Sequence, residues 1–289
     1  MQQTCPDGSA GRADGLDRRA RRAGKTRSCL FRRPEVPEVI DFDPFFFAVT
    51  IPAILFAGLS KGGFGGGVAF AGSAVMVVIL GPAVALGVTL PLLMLMDVTA
   101  LRPYWRRWDG GAARVLILGA VPGIALAAAV FHLTDPDVFR VLIGLVALGF
   151  VGFQLAVRMK LIPAREKPFG RPAGAISGAV AGFTSFVSHA GGPPVAVYLL
   201  SQRLDKTTFQ ATTVLVFWAI NLLKFGPYAF LGIFTPDTWL AVLLLAPVAI
   251  LGVWLGVRAH RLVPERWFFG ITYVALTLTG AKLLWDGLT

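Results

Sequence analysis

Long apolar blocks separated by short charged loops dominate the chain from residue 44 onward. Six of these blocks reach the length of about 20 residues that a helix needs to cross a bilayer. Charged residues make up only 15% of the 289 residues, against about 25% in an average soluble domain. The sequence therefore predicts an all-α integral membrane protein. The six long blocks are 82–101, 113–132, 138–157, 208–231, 236–257 and 267–285.

Four further apolar blocks are too short to cross a bilayer singly, and they form two pairs: 44–58 with 66–80, and 173–187 with 191–200. A glycine-rich break separates the members of each pair. The first break runs from Ser60 to Gly67, and the second runs from Ser185 to Pro194. The predicted order is a broken pair followed by three spanning helices, and this order occurs twice along the chain.

Matching residues at a constant spacing favour an internal duplication. Adding 124 to the residue number gives the pairs Gly58 and Gly182, Gly67 and Gly191, Thr89 and Thr213, Asp97 and Asn221, and Tyr104 and Tyr228. Chance matches are easy in a chain rich in glycine and leucine, but a repeated Pro-Tyr pair is harder to obtain by chance. The predicted domains are a polar basic tail over 1–43, transmembrane repeat 1 over 44–158, a cytoplasmic loop over 159–171 and transmembrane repeat 2 over 172–289.

The distribution of charge predicts the topology. The chain has a net charge of +11, and basic loops between apolar blocks follow the positive-inside rule; no basic face interleaved with aromatic residues indicates nucleic acid. All basic loops share the cytoplasmic side only if 172–201 is a hairpin that enters and leaves the membrane on one side. These loops are 102–114, 158–171, 203–206 and 258–266.

By symmetry 44–80 is a second re-entrant hairpin, so each repeat has three crossings and the second copy is inverted. Inverted repeats with broken helices are typical of secondary transporters. This topology puts the basic tail outside, against the positive-inside rule. In the competing arrangement 44–80 spans the membrane and the tail lies inside. The tail itself is predicted to be disordered and to carry no readable chemistry.

The two breaks indicate an anion site near the middle of the membrane. Glycine turns leave backbone N–H groups free, and the half-helix after each turn points its positive end back at it. The competing interpretation is that the glycines only permit close helix packing. The predicted substrate-binding residues are Lys61, Gly62, Gly63, Gly65, Gly66, Gly67, Thr184, Ser185, Ser188, His189, Gly191, Gly192, Asn221 and Lys224.

Charged residues inside apolar blocks require a partner or a role. A cation at the bilayer centre costs about 2.5–3.5 kcal/mol, so Lys61 either contacts the anion, pairs with Asp97, or snorkels from a helix end. Asp97 is a candidate for coupling to protons or for an ion pair with Lys61 or Lys224. His189 titrates near neutral pH if it is accessible, and otherwise it is a packing residue.

The sequence predicts no catalytic residue, no metal site and no cofactor. Ser188 and His189 are adjacent and cannot face each other as nucleophile and base, and no Walker motif is present. Two alternatives to a transporter stay open. One is an intramembrane enzyme of hydrolase type, and the other is a membrane assembly or sensor protein that transports nothing.

The glycine turn at 62–67, its counterpart ending at Gly191-Gly192 and the duplicated segments resemble the sulfite exporter TauE/SafE family over about 44–286. The resemblance implies a multi-pass permease of the cell inner membrane. Its expected partners are lipid and small sulfur-containing anions such as sulfite, sulfoacetate or related organosulfonates, with coupling to protons left open. Both cysteines, Cys5 and Cys29, lie in the tail, which disfavours the cysteine-relayed thiosulfate path of some relatives. The second break departs from the family pattern at Ser188-His189-Ala190.

Overall fold

The computed structural model describes residues 40–64, 69–133, 136–159, 161, 168–259 and 265–289. Ten α-helices and no strand occur within these residues, which confirms the all-α prediction. The predicted tail lies outside the described residues except for 40–43. The helices are α1 (Pro44–Gly63), α2 (Phe70–Leu80), α3 (Pro82–Leu101), α4 (Gly110–Leu133), α5 (Pro136–Arg158), α6 (Arg171–Ser188), α7 (Gly192–Ser201), α8 (Lys206–Phe230), α9 (Pro236–Ala259) and α10 (Glu265–Leu288).

Six of the described helices are long and apolar enough to cross a membrane by length and composition: α1, α3, α4, α5, α8 and α9. The prediction that 44–58 is too short to span singly is wrong, because α1 continues to Gly63. Block 267–285, which was predicted to span, is not among these six. Helices α2 and α7 are shorter, with 11 and 10 residues. Large apolar side chains face outward, since Phe230 is 93% exposed and Leu243 is 71% exposed. Lys224, by contrast, is fully buried. Apolar side chains on the surface and a charged residue type in the interior are expected of a protein that is surrounded by lipid.

The first break starts later than predicted. Helix α1 continues through Ser60, Lys61 and Gly62 to Gly63, so the expected turn beginning at Gly62 is wrong. Glycine can continue a helix where a neighbouring helix needs its lack of a side chain, and α9 packs there. The remaining predicted turn residues Gly65, Gly66 and Gly67 lie outside the described residues.

The second break is also shorter than predicted. Helix α6 runs to Ser188, so Ser185 and Ser188 are helical, and α7 begins at Gly192. Only His189, Ala190 and Gly191 separate the two helices. His189 ends α6 in the left-handed conformation at φ 57°. The prolines after Gly192 fit the first turn of α7, where their missing N–H groups are not needed.

The short helix after each break packs against the helix before it. A Cβ atom placed on Gly72 of α2 would lie 2.5 Å from the Ala53 carbonyl oxygen, so α2 folds back along α1. In the second hairpin, a Cβ atom on Gly174 would lie 2.6 Å from the ring of Tyr198. The two ends of the second hairpin lie close together. The Phe169 amide donates to Ser201 Oγ at 3.2 Å, and Gln202 Nε2 donates to the Phe169 carbonyl at 3.1 Å.

The first helix of each half packs against the fourth helix of the other half through glycines four residues apart. In the α1–α9 seam, a Cβ atom on Gly62 would lie 2.3 Å from the Val253 carbonyl oxygen. In the α4–α6 seam, a Cβ atom on Gly182 would lie 2.3 Å from the Ala120 carbonyl oxygen. Small residues at this spacing let helix backbones touch inside a membrane. The seam glycines are Gly58, Gly62, Gly252 and Gly256 in the first, and Gly119, Gly123, Gly178 and Gly182 in the second.

Aspartates cap helices at the loop ends. Asp43 accepts from the Phe46 amide at 2.6 Å at the start of α1, and Asp205 accepts from the Thr207 and Thr208 amides at 3.0 and 3.1 Å at the start of α8. Hydrogen bonds from the Thr208 side chain and from these amides lower the pKa of Asp205. A charged cap also complements the positive end of the helix.

Candidate functional site

Polar and charged side chains meet in the interior where α1, α3, α6 and α8 come together. Lys61 is 4% exposed, Asp97 1%, Asn221 2% and Lys224 0%. Lys61, Asp97 and Lys224 are the only buried Lys, Arg, Asp or Glu residues in the described part of the chain. Asn221 adds a buried neutral amide. We refer to Lys61, Asp97, Ser185, His189, Asn221 and Lys224 as the buried cluster.

The half of the cluster on α1 and α3 is an ion pair. Lys61 Nζ donates to Asp97 Oδ1, and Asn221 Nδ2 donates to the other carboxylate oxygen at 2.7 Å. Asp97 and Asn221 are 124 residues apart, so the residues matched in the two halves touch each other. Lys61 Nζ also lies 5.4 Å from the ring centroid of Phe217, a favourable position for a cation.

In the half of the cluster on α6 and α8, Lys224 has no carboxylate partner among the described residues. Lys224 Nζ lies 2.9 Å from the Ser185 carbonyl oxygen, 3.0 Å from Ser185 Oγ and 2.9 Å from His189 Nδ1. Three acceptors around one nitrogen match the three N–H donors of an ammonium group. All three acceptors are neutral when the His189 ring carries its proton on Nε2. The cluster thus contains two lysine side chains and one carboxyl group.

Two tyrosines hold the helix ends beside the breaks, and neither was predicted as a site residue. Tyr104 Oη donates to the Gly62 carbonyl at 2.8 Å, and Tyr228 Oη donates to the Phe186 carbonyl at 2.5 Å. Both bonds join residues 42 apart in sequence. The match of Tyr104 with Tyr228 in the duplication was the signal that could have identified them.

Three buried side-chain atoms have no hydrogen-bond partner in the described part of the chain: Ser60 Oγ, Ser73 Oγ and His189 Nε2. The Leu86 backbone faces the His189 ring without completing a hydrogen bond of ordinary geometry. Ser60 and Ser73 flank the first break, and His189 lies in the second. Buried polar atoms are nearly always satisfied, so each exception requires an explanation.

The beginning of α2 and the second break contribute to one apolar cluster. Ala190 of the second break belongs to the same small apolar cluster as Phe70, Ala71 and Ala74 of α2. The beginning of α2 therefore lies beside the second break, as a shared site requires.

Several predicted site residues have structural contacts that do not involve the cluster. Thr184 Oγ1 donates to the Val180 carbonyl at 2.9 Å and to the Ala190 carbonyl at 3.1 Å. Ser188 Oγ donates to the Thr184 carbonyl at 3.1 Å. Gly63 packs against Gly256 in the α1–α9 seam. These contacts stabilise the breaks, and a direct role in binding for these residues stays a prediction.

Gly191 and Gly192 lie at the start of α7. A Cβ atom on Gly191 would lie 2.8 Å from the Ala181 carbonyl oxygen and 3.0 Å from Ser185 Cβ. The chain can pass this close to α6 only because Gly191 lacks a side chain.

Every member of the buried cluster is at most 7% exposed. An apolar groove of about 650 Å³ lies elsewhere, between α4 and α6, and is lined by Leu118, Pro122, Ile176 and their neighbours. The described residues contain no group of three or more metal-ligating side chains.

A multi-pass helical protein that keeps charged groups in its interior has the arrangement in which transporters hold ions and substrates. Residues 50–283 match the family model described as Sulfite exporter TauE/SafE. The chain belongs to this family of membrane transporters, which confirms the family resemblance predicted from the sequence. Comparison with curated proteins found no match, and comparison with solved structures found none.

Proposed function

We propose that the chain is a secondary transporter of small sulfur-containing anions, such as sulfite, sulfoacetate or related organosulfonates, in the cell inner membrane. The anion binds between the two breaks at the buried cluster. The single observation that carries this proposal is that two buried lysines share one buried carboxyl group at that position.

An unpaired charge inside a protein is unfavourable unless a counter-charge compensates it for part of the time. Lys61 has Asp97, but Lys224 has only neutral acceptors in the described residues. A bound anion would supply the missing negative charge. Lys224 is therefore the principal anion-attracting group.

The unsatisfied donors supply short-range contacts. The Nε2–H group of His189 and the hydroxyl groups of Ser60 and Ser73 are buried beside the breaks, and oxyanions of sulfur accept several hydrogen bonds at once. Lys61 donates to Asp97 and to no other described residue, so it has N–H groups left for the anion. The turn residues Gly65, Gly66 and Gly67 remain part of the proposed site.

The contacts of His189 and Ser188 weigh against the hydrolase alternative. His189 Nδ1 is engaged by Lys224 at 2.9 Å, and Ser188 Oγ donates to its own helix. Neither group is arranged as a base beside a nucleophile. The assembly or sensor alternative predicts no flux of any anion, which a transport assay decides.

The test is uptake of radiolabelled sulfite, sulfate and organosulfonates into proteoliposomes, with and without a pH gradient. We expect saturable uptake of at least one sulfur oxyanion by the wild-type chain. Lys224→Gln should lower the affinity roughly tenfold or more, as the loss of a hydrogen-bonded charge implies. Gly149→Ala is the matched control, since nothing lies within 4 Å of a Cβ atom at Gly149. No uptake of any of these anions by correctly inserted protein would refute the proposal.

The proposed topology has two inverted repeats with re-entrant hairpins, and the meeting of Phe169 with Ser201 and Gln202 supports it for the second hairpin. Single cysteines at Arg171 and Lys206, in a background without Cys5 and Cys29, should both resist an impermeant thiol reagent in intact cells. After the membrane is permeabilised, both should react. Labelling of one cysteine alone in intact cells would show that 172–201 crosses the membrane.

A further inference from the structure

We infer that the buried cluster selects anions by charge, and that it binds singly charged sulfur oxyanions in preference to doubly charged ones of the same size. This inference rests on the proposed function and narrows its substrate class. Organosulfonates with one charge and hydrogen sulfite fit the site, whereas sulfate and the fully ionised form of sulfoacetate require an added positive charge. Sulfoacetate is therefore the least favoured of the anions proposed above.

The inference starts from the charges that face the site. Lys61, Asp97 and Lys224 are the charged side chains buried in the described residues. The other titratable groups near them carry no charge when His189 Nδ1 accepts from Lys224. Tyr228 and Tyr104 donate to backbone carbonyls. With both lysines protonated and Asp97 ionised, the empty cluster carries one net positive charge.

One negative charge brings the occupied cluster to neutrality. A second negative charge would leave the occupied site with an uncompensated charge inside the membrane. Such a charge is strongly unfavourable because neither lipid nor the apolar helices can solvate it. This free-energy cost opposes binding, and it also opposes every transport step in which the protein encloses the anion.

The pair Asp97 and Asn221 sets this charge. The two residues occupy matched positions 124 apart and are joined by one hydrogen bond of 2.7 Å. Two carboxylates at these positions would make the empty cluster neutral, and two amides would give it two positive charges. One acid and one amide leave a single positive charge, so the pair determines specificity without making every contact to the anion.

Methanesulfonate and sulfate are suitable probes because they have nearly the same tetrahedral size and differ by one charge. Their affinities for the purified full-length chain are measured by titration calorimetry at one pH and one ionic strength, with sulfite as a third probe. We expect methanesulfonate to bind roughly tenfold or more tightly than sulfate. Equal binding of the two, or tighter binding of sulfate, would overturn the inference and leave the proposed function intact.

Failure of the proposed function gives a different result: no probe binds, and the wild-type chain transports none of them. Two variants test the assigned cause. Asn221→Asp should weaken the binding of methanesulfonate roughly tenfold or more, whereas Asn221→Gln, which keeps the charge, should weaken it less. Asp97→Asn should shift the ratio of affinities toward sulfate. If Asp97→Asn does not fold, the wild-type comparison and the Asn221 pair decide; equal losses in Asn221→Asp and Asn221→Gln contradict the assignment to charge.

Discussion

The two helix breaks share a backbone framework but differ in charge. In each half a tyrosine donates to a carbonyl of the helix that precedes the break, Tyr104 to Gly62 and Tyr228 to Phe186. In each half the same helix packs by glycines against a helix of the other half. The position of Lys61 in the first half, however, corresponds to Ser185 in the second.

The comparison distinguishes the residues that position the backbone from the residues that determine the charge, although the two halves have similar sequences. The features that occur in both halves position the backbone, and the features that occur once set the charge. Lys61 with Asp97 forms a compensated pair in the first half, while Lys224 lies among neutral acceptors in the second. The asymmetry between the halves, and not their common framework, leaves one buried lysine without a carboxylate partner in the described residues.

The sharpest test of this comparison removes one cation from each half. Lys61→Gln leaves the Asp97 carboxylate buried without its ammonium partner, so we expect the free energy of unfolding to fall by about 3–5 kcal/mol. Lys224→Gln removes a cation that has no carboxylate partner and should cost less. Denaturant titration of the purified variants measures both effects.

A double variant controls for the loss of packing at Lys61. Lys61→Gln combined with Asp97→Asn removes both charges, and most of the stability lost in the single variant should return. An equal loss of stability in Lys61→Gln and Lys224→Gln would show that the two halves do not differ in the way described.

Methyl groups added to the two seams test whether the framework is equivalent in both halves. Gly62→Ala and Gly182→Ala each place a Cβ atom 2.3 Å from a backbone carbonyl oxygen. We expect each to lower the free energy of unfolding by about 1–3 kcal/mol, because the helices must move apart. Gly149→Ala should have little effect, since its Cβ atom meets nothing within 4 Å. Tolerance of one seam substitution and not of the other would show unequal seams.

Removal of the tyrosine hydroxyls should have the smallest effect. Tyr104→Phe and Tyr228→Phe each delete one hydrogen bond to a carbonyl beside a break, worth about 0.5–1.5 kcal/mol. The two losses should be alike, and in the double variant they should add if the two bonds are independent. A loss at one tyrosine only, seen by the same denaturant titration, would restrict the common framework to the seams.

The order of the helices was readable from the sequence, because a membrane requires long apolar stretches and glycine-rich breaks interrupt them visibly. The extent of the breaks was not. Gly62 and Gly63 read as turn residues in the sequence, but they are helical because α9 occupies the space that their side chains would need. A contact between helices separated by almost 200 residues leaves no local signal.

Lys61, Asp97, Asn221 and Lys224 were identified as candidates because polar residues within apolar blocks are conspicuous. Their pairing was left open, since Asp97 could have faced either lysine. The choice of Lys61 depends on how α1 and α3 are rotated against each other, which hydropathy does not determine. The unsatisfied Ser60 and Ser73 hydroxyls were missed because serine is common in membrane helices and carries no signal there.

The glycine seams have a mechanical consequence. Backbones that touch without intervening side chains resist sliding and separation, so α1 should travel with α9, and α6 with α4. Each seam joins a helix from one half of the sequence to a helix from the other. Rigid bodies in a transport cycle would therefore be assembled across the halves, and the boundary between moving parts would run through each half instead of between them.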